Sequence, residues 1–215
     1  MILSRKLGNN ICIMSKDKCP AESDSDDMTA SLTPEDSLFA FVGYRPGTQS
    51  EFSRKQDWYF YINGYKDAAD LLVAHAKEGD PRKLRYPVLF LYRQHLELAL
   101  KALICDCCRL VGLQETFPKT HRIDELWSIC CSLIDDISPG TSSNEDIRQT
   151  TRLMEEFCKI DPKSEAFRYP EDKSGNTPVI DAEMVLSTVK TIIGKMSLLL
   201  DCMSTHISTL EHDDF

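Results

Sequence analysis

Arg93, Glu97 and Lys101 recur at every fourth residue inside an otherwise apolar stretch. That spacing stacks three charges along one face of a helix over consecutive turns, with Glu97 placed N-terminal to Lys101 in the favourable order. Apolar residues such as Phe90 and Ile104 bracket the line, so the charges are expected to be semi-buried. Such a ladder is either a satisfied set of ion pairs between helices or a charged line facing a ligand. His121 adds an imidazole at the start of a following helix. The helix N-terminus favours its neutral form, which suits a general base, and the same position lets it bond a carboxylate such as Glu97. Arg168 and Tyr169 lie in a later loop. There the guanidinium fork suits a phosphate, or it pairs an acid and pins the loop to the body of the protein. Arg93 and His121 are thus the candidate catalytic pair. Glu97, Lys101, Arg168 and Tyr169 are the candidate ligand contacts.

Other chemistries lack their residues. There is no glycine-rich phosphate loop, no His-Glu-x-x-His and no serine nucleophile elbow. The neighbouring acids Asp135–Asp136 and Glu155–Glu156 sit side by side on helices and point in different directions, so neither pair is a catalytic dyad. Nine cysteines occur, with Cys105, Cys107 and Cys108 on one helix and Cys130–Cys131 on the next. Cys105 and Cys108 share a face at i, i+3, so a metal site built with the second pair is the alternative, but zinc ligands normally come from turns with tighter spacing, and the thiols read as small buried hydrophobes. No metal and no cofactor is expected.

The candidates need helices to hold them. Residues 86–111 are apolar on nearly every side, so that helix has to be surrounded by others. Residues 56–78 repeat apolar side chains at helical spacing through Trp58, Ile62, Tyr65, Ala69 and Leu72. The aromatic run Trp58–Tyr61 with Tyr65 reads as the core seam of a bundle, with a base-stacking surface as the alternative. Thr120 is placed to cap a helix running to about Ser138. Ser142 and Glu145 form a capping-box pattern for the next, to about Lys159. Residues 161–180 hold three prolines, one glycine and no period. Asp181 then opens a last helix to about His206, with a solvent-facing tail. The sum is an all-α, antiparallel up-and-down bundle of four to five long helices. The expected organisation is an acidic disordered arm at 1–33, a short helix and loop at 34–55, and the bundle at 56–212.

Three blocks resemble the HEPN domain family. Glu97, Lys101, Ala102, Leu103 and Ile104 match its E-x-x-x-K-A-L-L-type helix. Pro118, Thr120 and His121 match its P-x-T-H segment, with Asp124, Leu126 and Trp127 following. Arg168-Tyr169-Pro170-Glu171-Asp172 resembles its R-Y-P segment before the last helix. The blocks stand in the family's order across roughly 86–206. The resemblance implies a HEPN-like bundle, with a range of roles: metal-independent ribonucleases, toxins paired with a nucleotidyltransferase partner, defence modules, non-catalytic scaffolds, and homodimers. The nuclease members carry Arg-x(4–6)-His on a late helix. None of the five histidines has an arginine at that distance before it. The expected function is therefore a non-catalytic or weakly catalytic module that binds RNA, a nucleotide or a protein partner in a defence or toxin–antitoxin-like setting. The alternatives are a ribonuclease with a displaced Arg93/His121 site and a structural dimerisation module.

Composition narrows the partners. A formal charge of −9 means that the surface as a whole attracts no polyanion. RNA or nucleotide contact would need a local basic patch, such as Arg82, Lys83 and Arg85 with Arg54 and Lys55. No apolar run reaches membrane-spanning length, and the first residues make a poor signal peptide, so a cytoplasmic protein with no membrane partner is expected.

Overall fold

The computed structural model describes residues 51–76, 80–141, 144–181 and 183–213. The expected arm at 1–33 and short helix after Thr33 lie outside them. Every described residue in an α-helix falls in one of five: α1 (Glu51–His75), α2 (Arg85–Leu110), α3 (Ile123–Ile137), α4 (Glu145–Ile160) and α5 (Leu186–Asp213). No strand occurs among the described residues, and the architecture is an all-α bundle. α2 is the hub, packed by α1, α3 and α5, while α4 rests on α3.

Burial explains that order. On α2, Val88, Leu89, Tyr92, Leu96, Leu100, Leu103, Ile104 and Cys107 are all buried and point in several directions, so several partners are needed to cover them. α3 and α4 each bury one stripe, Ile123, Leu126, Trp127, Cys130 and Ile134 on the first and Ile147, Met154 and Cys158 on the second. α5 buries Ile193, Met196, Leu200, Met203 and Ile207. Burial of a large aliphatic side chain stabilises by about 1.5–3 kcal/mol, so these stripes are what hold the helices together.

Local chemistry sets the ends. Asp80 caps a single 3-10 turn, Pro81–Leu84, by accepting from the backbone N–H of Arg82, and that turn runs straight into α2. α2 stops at Gly112, whose φ of +70° is easy only for a residue without Cβ. The backbone N–H of Leu113 closes this turn onto the carbonyl of Cys108 at 2.8 Å.

Four expectations need correction. α1 begins at Glu51 rather than 56 and ends at His75, so residues 51–55 are helix and not loop. Tyr59, Phe60 and Tyr61 are 62%, 60% and 64% exposed, so they are not a core seam. Four consecutive aromatics at about 100° per residue cannot share one face, and only the later part of α1 (Ala69, Val73) lies against the core. The cap of α4 is Asn144, whose side chain accepts from the N–H of Asp146 at 2.8 Å; Ser142 lies outside the described residues. Last, α5 begins at Leu186 and not at Asp181, whose side chain accepts from the N–H of Glu183 in the turn before it, and it runs past His206 to Asp213, where Arg109 donates to Glu211 at 2.7 Å and ties the helix end to α2.

Candidate functional site

The i, i+4 line on α2 is sealed inside the bundle. Arg93 is 1% exposed and Glu97 2%. Glu97 sits at the centre. Its Oε1 accepts from Lys101 Nζ and from His121 Nδ1, each at 2.8 Å, and its Oε2 accepts from Arg93 Nη1 at 3.2 Å. Burial alone would raise the Glu97 pKa, but the bonds from Lys101 and His121 outweigh it and hold the carboxyl below its ordinary range.

Arg93 then joins three segments. Nη2 donates to the backbone carbonyl of His121 at 2.6 Å, and Nη1 donates to Ser164 Oγ at 2.7 Å. Nε lies 3.1 Å from Asp161 Oδ2 in a buried ion pair, although its N–H is not aimed well enough to count as a hydrogen bond. Asp161 in turn accepts from the backbone N–H groups of Glu165 and Ala166 at 2.7 and 3.0 Å. Two cations and two anions therefore cancel within one buried group, the condition under which charges are tolerated away from water. Ser164, which presents its hydroxyl to Arg93, has a φ of +61°, a left-handed conformation that costs a residue with Cβ about 1 kcal/mol. The tight turn it makes directly after α4 is what brings it under the guanidinium.

The outer end of the line is capped by aromatics. Lys101 Nζ lies 5.4 Å from the centroid of the Phe117 ring, and Trp58 meets Phe117 edge-on at 5.5 Å. Phe117 and Trp58 of α1 thus lie over Lys101, whose ammonium donates to Glu97.

Of the six candidates, Arg93, Glu97, Lys101 and His121 form one connected cluster. The His121 side chain remains 66% exposed while its Nδ1–H is held by Glu97. Thr120 beside it accepts from the N–H of Arg122 and bonds Glu125, so it shapes the turn before α3, which starts at Ile123. Arg168 and Tyr169 are exposed and contact each other, with the guanidinium 5.7 Å from the ring. Arg168 Nε donates to the carbonyl of Ser164 at 2.5 Å, so it braces the turn that holds Arg93. Sequence reading missed Asp161, Ser164 and Phe117. Asp161 had a signal, an acid directly after an amphipathic helix, but its partner lies 68 residues earlier. The basic cluster before α2 is partly tied up, since Arg82 forks onto Asp80 at 2.9 and 3.0 Å.

The thiols form no chemistry of this kind. Cys107 and Cys130 are buried, and Cys130 Sγ donates to the carbonyl of Leu100 at 3.5 Å. Burial pushes the Cys107 thiol up to about 12 and those of Cys105 and Cys131 up to about 11, so they stay protonated and poorly nucleophilic. Among the described residues, no group of three or more His, Cys, Asp or Glu side chains is placed to hold a metal ion. Nor is any helix among them long and apolar enough to cross a membrane.

His95, on another face of α2, has a consequence for pH. Its Nδ1–H donates to the carbonyl of Ile62 at 2.9 Å, and its buried Nε2 has no hydrogen-bond partner. Burial lowers its pKa below 6.5; Lys66 pushes the same way, and the Ile62 bond with Asp70 and Asp201 opposes. The unfolded chain therefore takes up the proton first. Stability is at its full value above pH 6.5 and falls as pH drops below it, by at most about 1.4 kcal/mol per pH unit, until the folded-state pKa is passed. Urea melts at a series of pH values should show that slope in the wild type and a flatter profile in His95→Gln. Equal slopes would assign the effect to other groups.

No family model, curated protein or solved structure matches the chain.

Proposed function

We propose that this chain is a HEPN-like helical module that acts by binding a protein partner rather than by cutting RNA, in a defence or toxin–antitoxin-like setting. The observation that carries the reading is the closure of the Arg93 site. Its guanidinium is 1% exposed and is committed to Glu97, Ser164, Asp161 and the His121 carbonyl, so it is not presented to a phosphate. The three HEPN-like blocks support it from another side, since Glu97, Lys101 and His121 meet around one carboxylate, and Arg168 braces the turn beneath them. On this reading those residues hold the bundle together. A formal charge of −9 further disfavours RNA or nucleotide as the ligand.

One observation favours the ribonuclease alternative. The exposed imidazole of His121 is oriented through Nδ1 by a buried carboxylate, which is how a general base is held. The two readings separate in one experiment. Purified full-length chain is incubated with labelled single-stranded RNA without metal, beside His121→Ala. The expected result is no cleavage by either protein. Cleavage by the wild type that is lost in His121→Ala would replace the binding reading with a displaced Arg/His nuclease site. A homodimer with no other partner, seen by sedimentation, would leave the structural dimerisation reading.

A further inference from the structure

Away from the charged cluster, an apolar cleft of about 470 Å³ is lined by residues of α4 and α5, with Leu89 of α2, and Phe167 and residues 180, 181 and 183–185 before α5. Leu89, Ile193 and Met196 form its floor and Phe157 one wall. Its rim is unusual for a protein surface: Ile160 is 42% exposed and Val185 56%. The charged residues that line it are Glu156, Asp181 and Glu183, and no lysine or arginine is among the lining residues. An apolar trough with an acidic edge is the complement of an apolar stripe with basic flanks.

We infer that this cleft docks a basic amphipathic helix of a partner protein, its apolar side chains entering between α4 and α5 and its lysines or arginines meeting Glu156, Asp181 and Glu183. Most of its lining residues lie on α2, α4 and α5, whose backbone groups are already paired within the helices and do not invite an added strand. Ile160 and Val185 line the cleft and are also half exposed, so its apolar lining continues onto the open surface, where a protein partner covers more than a small molecule does. A nucleic acid would bring phosphates to three carboxylates. A second copy of this chain, at formal charge −9, would bring like charge to an acidic rim. A helix with apolar residues at i, i+3, i+4 and i+7 meets both the shape and the charge. This names the partner class for the binding module proposed above. RNA cleavage by the chain would overturn that reading and leave this one standing.

The test uses the full chain and a fluorescein-labelled Leu/Lys peptide, about 14 residues long or roughly four turns, with its leucines at helical period. Two controls share its length: a Leu/Glu peptide with the same apolar face, and a scrambled Leu/Lys peptide of the same composition. Anisotropy should show binding of the patterned Leu/Lys peptide, with both controls at least about tenfold weaker. Ile160→Asp and Val185→Asp should each weaken it by about tenfold, because a buried carboxylate replaces an apolar anchor. Glu183→Lys, at an exposed position that leaves the fold intact, should weaken it too. Leu198→Asp, the same kind of change at an exposed site on α5 outside the cleft, should leave it unchanged. Equal binding of the scrambled peptide overturns the proposal. So does indifference to the three cleft variants while circular dichroism reports them folded. A self-association lost in Val185→Asp, or an apolar compound that copurifies with the wild type and not with that variant, would give the cleft to another occupant.

Discussion

Glu97→Ala should lower the stability of the bundle by about 3–5 kcal/mol, enough to unfold a large fraction of a domain whose total is about 5–15 kcal/mol. The reason is the company Glu97 keeps. Its removal strips Lys101 of its hydrogen-bond partner, frees the His121 ring and leaves Arg93 with Asp161 as its one remaining anion, and Arg93 and Asp161 are both buried. Arg93→Ala should cost a similar amount, because it leaves Asp161 without its cation and Glu97 with only Lys101 and His121. The two losses should not add. Once one charge is gone the other has already lost their shared ion pair, so the double variant should fall short of the sum by about 0.5–3 kcal/mol, the range for residues in one network. Urea titrations of the wild type, both single variants and the double variant give all four corners. Additivity within about 0.5 kcal/mol would mean that Arg93 and Glu97 do not act as a unit. Acid should mimic the substitution. The Glu97 carboxyl is held below its ordinary range, so its contribution is complete above the unfolded value of 4.5 and disappears as pH falls through the lower, folded value.

Trp127→Ala is the second large expected effect. Trp127 is 2% exposed on α3, and its Nε1–H donates to Thr151 Oγ on α4 at 2.8 Å. Truncation of a buried tryptophan to alanine costs about 3–5 kcal/mol through lost contacts and the cavity left behind. Trp127→Phe keeps most of the volume and loses the hydrogen bond, so it should cost less than the alanine change, with about 1 kcal/mol from the bond itself. Thr151 also donates to the carbonyl of Ile147 at 2.8 Å, so its hydroxyl is not left unpaired. Far-ultraviolet circular dichroism follows both variants without relying on the fluorophore. Because α4 rests on α3, loss of this residue should also detach α4. If Trp127→Ala melted within about 1 kcal/mol of the wild type, the α3–α4 contact would be looser than its burial implies.

The helices were readable because each needs only a period and an end signal, both of which are local. Arg93, Glu97 and Lys101 could be placed on one line for the same reason, and the bond between His121 and Glu97 follows from bringing the next segment back across α2. What closes the cluster was not readable. Asp161 and Ser164 meet Arg93 across about seventy residues, and the left-handed turn at Ser164 that aims the hydroxyl has no signature without glycine or asparagine. The aromatic run on α1 misled because hydrophobicity was counted without asking how many faces four consecutive residues span. The cleft between α4 and α5 was equally hidden. Val185 belongs to an apolar stripe that reads as core, yet it precedes the first residue of α5 and is 56% exposed.

The turn after α4 supplies the second anion of the buried group from a point late in the chain. A polypeptide emerging from the ribosome therefore carries two cations, Arg93 and Lys101, against Glu97 alone until Asp161 has been made. The first half cannot settle into its final packing ahead of the second, and synthesis has to pass residue 164 before the interior becomes electrically neutral.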